Sequence, residues 1–263
     1  MKGLEKVTQE NYYSNEMAKI YTGSTEIKRF LECEAKAMAE LNGEWIEETS
    51  DAMLVSSYVD AAISNELDTF KEQHPEIFTK QGELKAQYKN AEEIVKQIKD
   101  DPIFYKYLQG ELQKIMIGEI ANVPVKIKID SFHDKVLVDL KTIRDFSLLY
   151  DEKDRTRKNF IDFFDYVLQA ALYQEICYQN TGKKLPFVIA AATKEKVSQR
   201  ALLQISQDKM EMKMQFLKEY LPHLQAVKQG KVAPVSCGKC QYCLSKKKTQ
   251  GVVDYEEFFK EEV

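Results

Sequence analysis

The sequence is poor in the residues that interrupt a chain. Its 263 residues include only 10 Gly, 6 Pro and a single Trp, and no internal repeat or Pro/Gly/Ser-rich linker is visible. This shortage argues against a repeat array, a low-complexity segment or two units joined by a flexible linker. We expect one domain with its own core, spanning residues 1–263.

Long apolar runs are also missing. No stretch approaches the roughly 20 apolar residues that a membrane-spanning helix needs. Near the N-terminus, Lys2, Glu5 and Lys6 stand where a secretion signal would have its apolar segment. The sequence therefore predicts a cytoplasmic protein that does not associate with a membrane.

There is no excess of positive charge. The 38 Lys and Arg residues are outnumbered by 42 Asp and Glu residues, which gives a formal net charge of -4. This balance disfavours a protein that coats nucleic acid through a uniformly basic surface. It does not exclude a nuclease, because catalytic carboxylates add negative charge that bound cations neutralise.

Hydrophobic periodicity predicts helices at both ends of the chain and a sheet in the middle. Alternation of apolar and polar residues indicates two strands that form a hairpin, and an earlier segment and a later apolar run indicate further strands. The predicted helices cover residues 24–41, 52–65, 84–100, 160–180 and about 207–224; the predicted strands cover 111–119, 123–130, 136–141, 187–192 and 201–206. The order predicts an α/β fold in which helices flank a mixed central sheet.

Two carboxylates and a lysine mark the predicted hairpin. Asp139 and Lys141 are two residues apart on one strand, so their side chains leave on the same face. Asp130 ends the preceding strand, and a hairpin register could bring it beside them. Carboxylate oxygens are ligands for Mg²⁺, and a nearby lysine can stabilise the negative charge that develops during phosphodiester hydrolysis. A solvated strand face would carry the same pattern by chance, so these residues alone leave both interpretations open.

The helix that follows carries a second pattern. Gln169 and Tyr173 are four residues apart and therefore neighbours on one helix face. A Gln-x-x-x-Tyr helix after an Asp…Asp-x-Lys hairpin resembles the PD-(D/E)XK nucleases, in particular RecB, AddB, lambda exonuclease and the exodeoxyribonuclease VIII group. The resemblance implies a restriction-endonuclease-like fold in which Asp130 and Asp139 bind Mg²⁺ or Mn²⁺, Lys141 is the catalytic lysine, and Gln169 and Tyr173 support the site.

The N-terminal part is similar to these nucleases as well. Residues 24–33 resemble their opening helix, and residues 55–60 resemble their Gly-Ser-x-x-His segment. Ser56 stands where Gly is usual, and Asp60 replaces the histidine near the metal. The resemblance makes Asp60 a candidate metal ligand, since a carboxylate also binds hard cations. Glu111, at the start of the first predicted strand, is a further candidate.

The resemblance covers about residues 20–245 and implies a function. The catalytic core would span about 105–206, with helices over 24–100 and a C-terminal helix plus cysteines over 207–248 as elaborations. The expected activity is exonucleolytic digestion of linear double-stranded DNA in phage-type recombination. The expected partners are DNA, a single-strand annealing recombinase and further copies of the chain. The alternatives are a non-catalytic DNA-binding module of the same fold and a metal-stabilised interaction protein.

The cysteines are clustered. Cys237, Cys240 and Cys243 form a C-x₂-C-x₂-C motif, which lacks one ligand for a four-coordinate metal. Three close cysteines plus a distant fourth favour a [4Fe–4S] cluster, with zinc as the alternative and free thiols as the third possibility. Cys33 is the preferred fourth ligand, because Cys177 lies in an apolar helical segment. AddB and the CRISPR-adaptation nucleases resemble this arrangement of one early and three late cysteines.

A basic segment lies between the predicted hairpin and the Gln-Tyr helix. It contains Lys153, Arg155, Arg157 and Lys158. Such a segment is often only a solvated loop. Its position beside the proposed site also predicts contact with the DNA phosphate backbone.

Overall fold

The alternating segments in the middle of the chain form a mixed sheet in the computed structural model, which describes residues 6–249 and 251–258. Five strands follow the order β1-β2-β3-β6-β7, and two short strands, β4 and β5, pair separately. In chain order the strands are β1 (Glu111–Ile120), β2 (Val123–His133), β3 (Val136–Ile143), β4 (Leu149–Asp151), β5 (Thr156–Lys158), β6 (Phe187–Thr193) and β7 (Arg200–Gln204).

Helices precede, interrupt and follow the sheet. Within the described residues they are α1 (Asn15–Ile20), α2 (Ser24–Glu32), α3 (Glu34–Leu41), α4 (Asp51–Ile63), α5 (Leu67–Gln73), α6 (Ala86–Lys99), α7 (Pro102–Tyr107), α8 (Phe160–Phe163), α9 (Tyr166–Thr181), α10 (Gln207–Lys228), α11 (Gln241–Lys246) and α12 (Tyr255–Phe258), with a 3₁₀ turn over Pro75–Ile77. None of the helices in this part of the chain combines the length and apolar character needed to cross a bilayer.

The strand pairing explains the mixed sheet. β1, β2 and β3 form an antiparallel meander. β3 then pairs in parallel with β6, and the connection between them contains α9. β7 closes the sheet antiparallel to β6. All seven residues of β6 are buried, as expected for the apolar run over 187–192 when a strand is covered on both faces.

The helices cover the sheet in two layers. One core joins α2, α9 and α10 to the face that carries Val125, Ile127 and Ile129. The second core packs α4 and α6 against Val138 and Leu140. Alternate residues of β3 therefore face different layers, so Asp139 and Lys141 share the α9 side with Leu137. The predicted α/β architecture is confirmed.

Close packing places α9 against the outer strand β1. A Cβ atom on Gly118 would lie 2.4 Å from Oε1 of Gln179 and 2.8 Å from Cδ1 of Ile176, so any side chain at this position would force these two α9 side chains to move. The Gln179 amide donates to the Glu119 carbonyl at 2.8 Å and accepts from the Glu119 backbone N–H at 3.0 Å. These bonds satisfy backbone groups that an edge strand would otherwise leave exposed. They fix α9, which carries Gln169 and Tyr173, relative to the sheet.

The predicted helix over residues 24–41 is two helices. Cys33 separates them with an extended backbone (φ -165°, ψ 107°). Its Sγ atom accepts a hydrogen bond from the Lys36 backbone N–H at 3.5 Å, so the thiol caps the start of α3. Leu31, near the end of α2, is 41% exposed, whereas Ile27 and Phe30 of the same helix are buried.

The predicted basic loop is a hairpin. Asp151 pairs with Thr156, and the turn between them contains Arg155 with φ 56°. Nζ of Lys158 forms ion pairs with Asp151 and Asp154. The side chains of Arg155 and Arg157 are exposed. One cation of the segment is therefore engaged within the hairpin, and two arginines face solvent.

Candidate active site

The site forms where β2 and β3 separate. The ladder between these strands covers Ser131–His133 and Val136–Val138 only. Beyond it, Oδ2 of Asp130 accepts a hydrogen bond from the Leu140 backbone N–H at 2.9 Å. A carboxylate thus occupies the place of the missing strand partner, and the gap between the strands leaves room for a cavity.

Asp139 is the most constrained carboxylate of the site. It lies on β3, which is buried between β2 and β6, and it is 2% exposed. Its Oδ1 atom accepts a hydrogen bond from Gln169 Nε2 at 2.6 Å. Its Oδ2 atom lies 2.6 Å from Lys141 Nζ. Both oxygens therefore have fixed directions, one set by α9 and one by the same strand.

Helix α4 brings a third carboxylate. Asp60 lines the same cavity as Asp130, Asp139 and Lys141. Its Oδ1 atom is buried and, among the described residues, has no hydrogen-bond partner. Ser56, one helical turn earlier, donates from Oγ to the Thr142 carbonyl at 3.4 Å and so joins α4 to the end of β3. This bond connects the helical turn before Asp60 to the strand that carries Asp139 and Lys141.

The carboxylates raise one another's proton affinity. Burial, and then Asp139, raise the pKa of Asp130 well above its ordinary value, although Lys141 opposes this effect. Burial raises the pKa of Asp60 to about 7, against the opposing effect of Lys141 and with a further contribution from Asp139. Without a cation, these buried carboxyl groups therefore hold protons more tightly than free ones do. A bound cation would favour their ionised form.

Lys141 carries the compensating positive charge. Burial alone would lower its pKa, but Asp139 and Asp130 outweigh this effect and raise the pKa above its ordinary value. Its Nζ atom also lies 4.9 Å from the centre of the Tyr166 ring. Lys141 consequently stays protonated, as a group that stabilises developing negative charge must.

The cavity has a volume of about 430 Å³. Its lining comes from the segment before α1 and from seven elements, which are α1, α2, α3, α4, β2, β3 and α9. Gln169 and Tyr173 from α9 border it, as the sequence predicted they would lie near the carboxylates. Tyr173 is 6% exposed, and burial raises its pKa well above its ordinary value, so its hydroxyl stays neutral. Its ring packs edge-to-face on Phe187.

Several residues at the site were not predicted. Tyr12 and Tyr13 line the cavity together with Lys126 and Lys128 of β2. The two tyrosines lie before the first segment with a regular spacing of apolar residues. No sequence pattern therefore predicted that they would lie at the site. Nζ of Lys28 in α2 lies 4.7 Å from the centre of the Tyr166 ring, which Lys141 also contacts. Burial lowers the pKa of Lys28 to about 8.

The structure does not support Glu111 as a metal ligand. Its side chain is exposed at the start of β1 and pairs with Lys114 Nζ at 2.5 Å. It does not border the cavity that holds the other carboxylates. The alternating pattern located the strand correctly, but the first residue of an edge strand lies outside the gap between β2 and β3. We therefore exclude Glu111 from the candidate ligands.

The carboxylate set fits a divalent cation. Among the described residues, Asp60 has a buried oxygen without a hydrogen-bond partner, and it lines the same cavity as Asp130 and Asp139. In the same residues the only group of three or more Cys, His, Asp or Glu side chains whose ligand atoms all lie within 4.8 Å is a cysteine group, so the three carboxylates do not all lie that close together. Mg²⁺ and Mn²⁺ need only one or two carboxylate ligands, because they retain waters and also bind substrate phosphates.

That cysteine group consists of Cys33, Cys237, Cys240 and Cys243. Sγ of Cys243 lies 3.5 Å from Sγ of Cys33 and 3.9 Å from Sγ of Cys237. The Ser236 hydroxyl donates to Cys243 Sγ at 2.9 Å and lowers the pKa of that thiol to about 6. Four thiols brought together from both ends of the chain are a suitable set of ligands for a thiophilic metal.

The C-terminal cysteines reach Cys33 through a defined contact. Glu34, the residue after Cys33, accepts a hydrogen bond from the Val235 backbone N–H at 2.9 Å. Its other oxygen pairs with Nε2 of His223 at 2.7 Å. Cys177 takes no part, because it is fully buried in α9 beside Thr181. The four cysteines thus lie together as the sequence predicted.

Comparison with protein families gives a match over residues 23–246 to the PDDEXK-like domain of unknown function DUF3799. The chain belongs to the DUF3799 family. The membership agrees with the restriction-endonuclease-like sheet and extends from α2 to α11, so it includes the carboxylate site and all four clustered cysteines.

A solved structure is similar to this DUF3799 protein over nearly its whole length. A crystal structure of a candidate exonuclease from Eubacterium rectale superposes with a TM-score of 0.91 and 38% sequence identity, covering 97% of this chain and 98% of that one. No match was found among curated proteins.

Proposed function

We propose that this protein is a Mg²⁺- or Mn²⁺-dependent exonuclease that digests linear double-stranded DNA. The observation that carries the proposal is the convergence of Asp60, Asp130, Asp139 and Lys141 on one cavity. Membership of a PDDEXK-like family and the similarity to a candidate exonuclease support it.

The chain's own residues have distinct roles in this proposal. Asp130 and Asp139 would hold the cation, and Asp60 would supply a further oxygen. When bound, a divalent cation lowers the pKa of a coordinated water and polarises the phosphate. Gln169 keeps Asp139 Oδ1 in place through its 2.6 Å hydrogen bond, while Tyr173 closes the cavity beside it. Protonated Lys141 stabilises the negative charge that develops on the phosphate.

Digestion of linear and circular DNA tests the activity. Wild-type protein with Mg²⁺ or Mn²⁺ is expected to shorten end-labelled linear duplex and to leave a closed circle intact, and EDTA should stop the reaction. Asp139→Asn should abolish digestion. Asp134→Asn, which changes an exposed carboxylate in the β2–β3 turn, is the matched control and should keep activity. A wild-type protein that binds but never degrades linear DNA would instead support a non-catalytic DNA-binding module.

We further propose a role in phage-type recombination, in which the single strands left by digestion pass to an annealing recombinase. The resemblance to the exodeoxyribonuclease VIII group supports this role and the assembly of several copies. Co-purification of the protein with a single-strand annealing protein, and measurement of its mass in solution, test these two points.

We propose that the four cysteines hold a structural metal ion. Their sequence spacing favoured a [4Fe–4S] cluster. The sulfur–sulfur distances favour zinc, because a Zn–S bond of about 2.3 Å sets tetrahedral ligands roughly 3.8 Å apart, close to the 3.5 and 3.9 Å distances found here. A cluster binds each thiolate to a different iron atom and would hold the sulfurs farther apart. The metal would join the two ends of the domain and stabilise the fold.

A further inference from the structure

An exposed tyrosine stands beside the carboxylate cavity. Tyr13 is 77% exposed, yet it lines the same cavity as Asp130 and Asp139. The neighbouring Tyr12 is buried, and the two rings meet edge-to-face with centres 4.9 Å apart and planes at 82°. Single exposed aromatic residues are common on protein surfaces. This one requires an explanation because of its location and its neighbours.

The tyrosine pair is held firmly against the sheet. Lys126 Nζ donates to the Tyr12 carbonyl. Ten residues after Tyr12, the Thr22 backbone N–H donates to the Pro124 carbonyl at 2.9 Å. Thr22 thereby forms an isolated parallel bridge to β2. Lys228 of α10 donates to the carbonyl of Ala18 in α1 and to that of Tyr21, just after this helix. Tyr13 is therefore presented on a fixed segment.

A lysine lies against both rings. Nζ of Lys128 is 4.7 Å from the centre of the Tyr13 ring and 5.5 Å from that of Tyr12. An aromatic face combined with a cation is the arrangement that binds single-stranded nucleic acid, because the base stacks on the ring and the cation contacts the phosphate. Lys126, Lys128 and Asp130 occupy alternate positions of β2, so the strand leads from the rings to the carboxylates.

The spacing between Lys128 and Asp130 along β2 indicates which base of the DNA strand would lie at Tyr13. Two strand residues span about 7 Å, and successive nucleotides of a stacked strand rise about 3.4 Å. Lys128 therefore lies about two nucleotides from Asp130. We propose that Tyr13 stacks on an unpaired base near the DNA end, about two nucleotides from the phosphate that is cleaved, and that Lys128 contacts the intervening backbone. This inference rests on the proposed nuclease function and identifies how the site engages a frayed end.

Binding to DNA with a missing base tests the stacking. The probes are short duplexes with an unpaired end of four nucleotides, each carrying one abasic position, measured with Ca²⁺ in place of Mg²⁺. Tyr13→Ala should weaken binding to the intact end by between about 5-fold and 150-fold, the range for loss of one base–aromatic stack. Tyr13→Phe should retain affinity, because it keeps the ring. Tyr178→Ala, which removes an exposed tyrosine from a different surface pocket, is the control.

The abasic series distinguishes stacking from a general loss of contact. Removing the base at one position should weaken binding to the wild type and leave binding to Tyr13→Ala unchanged. An abasic penalty that is equal in both proteins, or equal affinities of wild type and Tyr13→Ala, would overturn the inference while leaving the nuclease function intact. A wild-type protein that neither binds nor digests linear DNA would overturn the proposed function together with it.

Discussion

Gln169 of α9 donates from Nε2 to Oδ1 of Asp139 on β3 over 2.6 Å. The other oxygen of Asp139 faces Lys141, so a helix residue and a strand residue together fix the carboxylate. An amide is suited to this role because it adds a hydrogen bond without adding charge to a site that already contains several carboxylates. The contact gives Gln169 of the Gln-x-x-x-Tyr helix a role at the Asp-x-Lys strand.

Gln169→Ala is expected to lower activity or metal affinity about 10- to 100-fold, as loss of a residue that orients a metal ligand does. The measurement is the digestion rate as a function of Mg²⁺ concentration. Gln174→Ala is the matched control, because Gln174 is a buried amide of the same helix that bonds to the Leu185 carbonyl instead. It should lower stability and leave the Mg²⁺ dependence unchanged. Equal Mg²⁺ dependence in Gln169→Ala and wild type would remove Gln169 from the site.

Asp60→Asn is expected to stabilise the metal-free protein at pH 8 and to have little effect near pH 4. The pKa of Asp60 is raised to about 7, so the folded state retains a proton that the unfolded state has released. The free energy of unfolding therefore falls as the pH rises from about 4 to about 7, and it stays at the lower value above that range. Asn cannot ionise and avoids this loss.

Thermal unfolding in EDTA at several pH values measures this effect. For a chain of this size, 1 kcal/mol corresponds to about 2–4 °C in Tm. Mg²⁺ should raise the Tm of the wild type at pH 8 more than that of Asp60→Asn, since the variant lacks one ligand. A difference in Tm between the two metal-free proteins that does not change with pH would contradict the assignment of Asp60.

Cys33→Ser is expected to remove the structural metal and to lower Tm. Elemental analysis of the wild type should give one zinc per chain, and Cys177→Ser should keep it, because Cys177 lies outside the cluster. Iron with visible absorption bands that Cys33→Ser bleaches would favour the [4Fe–4S] cluster. Neither metal, with unchanged Tm in the variant, would leave four free thiols.

Replacing Arg155 and Arg157 together by Gln is expected to weaken DNA binding evenly across sequences. Both arginines are exposed on the β4–β5 hairpin, and phosphate contacts position DNA without reading its sequence. The log–log slope of affinity against salt should fall by roughly one for each lost contact. Lys158→Gln should change the slope less, because Lys158 pairs with Asp151 and Asp154. An unaltered slope in the double variant would place the DNA elsewhere.

The sequence predicted the sheet well because a strand with one buried face has an apolar residue at every second position. Val123, Val125, Ile127 and Ile129 are all buried, and the run over 187–192 is the buried central strand. The same reasoning located Asp139 and Lys141 on one face. It could not show that β2 and β3 separate at Asp130, because the extent of pairing between two strands is not reported by the alternation along either strand.

Two features of the structure could not be predicted from hydrophobic periodicity. The helix break at Cys33 falls inside a segment predicted to be one helix, and the Cys33 thiol there lies 3.5 Å from Sγ of the distant Cys243. Tyr12 and Tyr13 reach the cavity only because the N-terminal segment binds β2, a contact between residues more than 100 positions apart. Neither local propensity nor periodicity reports such contacts.

A crystal soaked in Mn²⁺ is the most direct test of the carboxylate site. We expect anomalous density between Asp130 and Asp139 in the wild type and none in Asp139→Asn, whose fold should be unchanged. Wild-type crystals with no density at this position, together with nuclease activity that survives both EDTA and Asp139→Asn, would contradict a metal-dependent active site in this cavity.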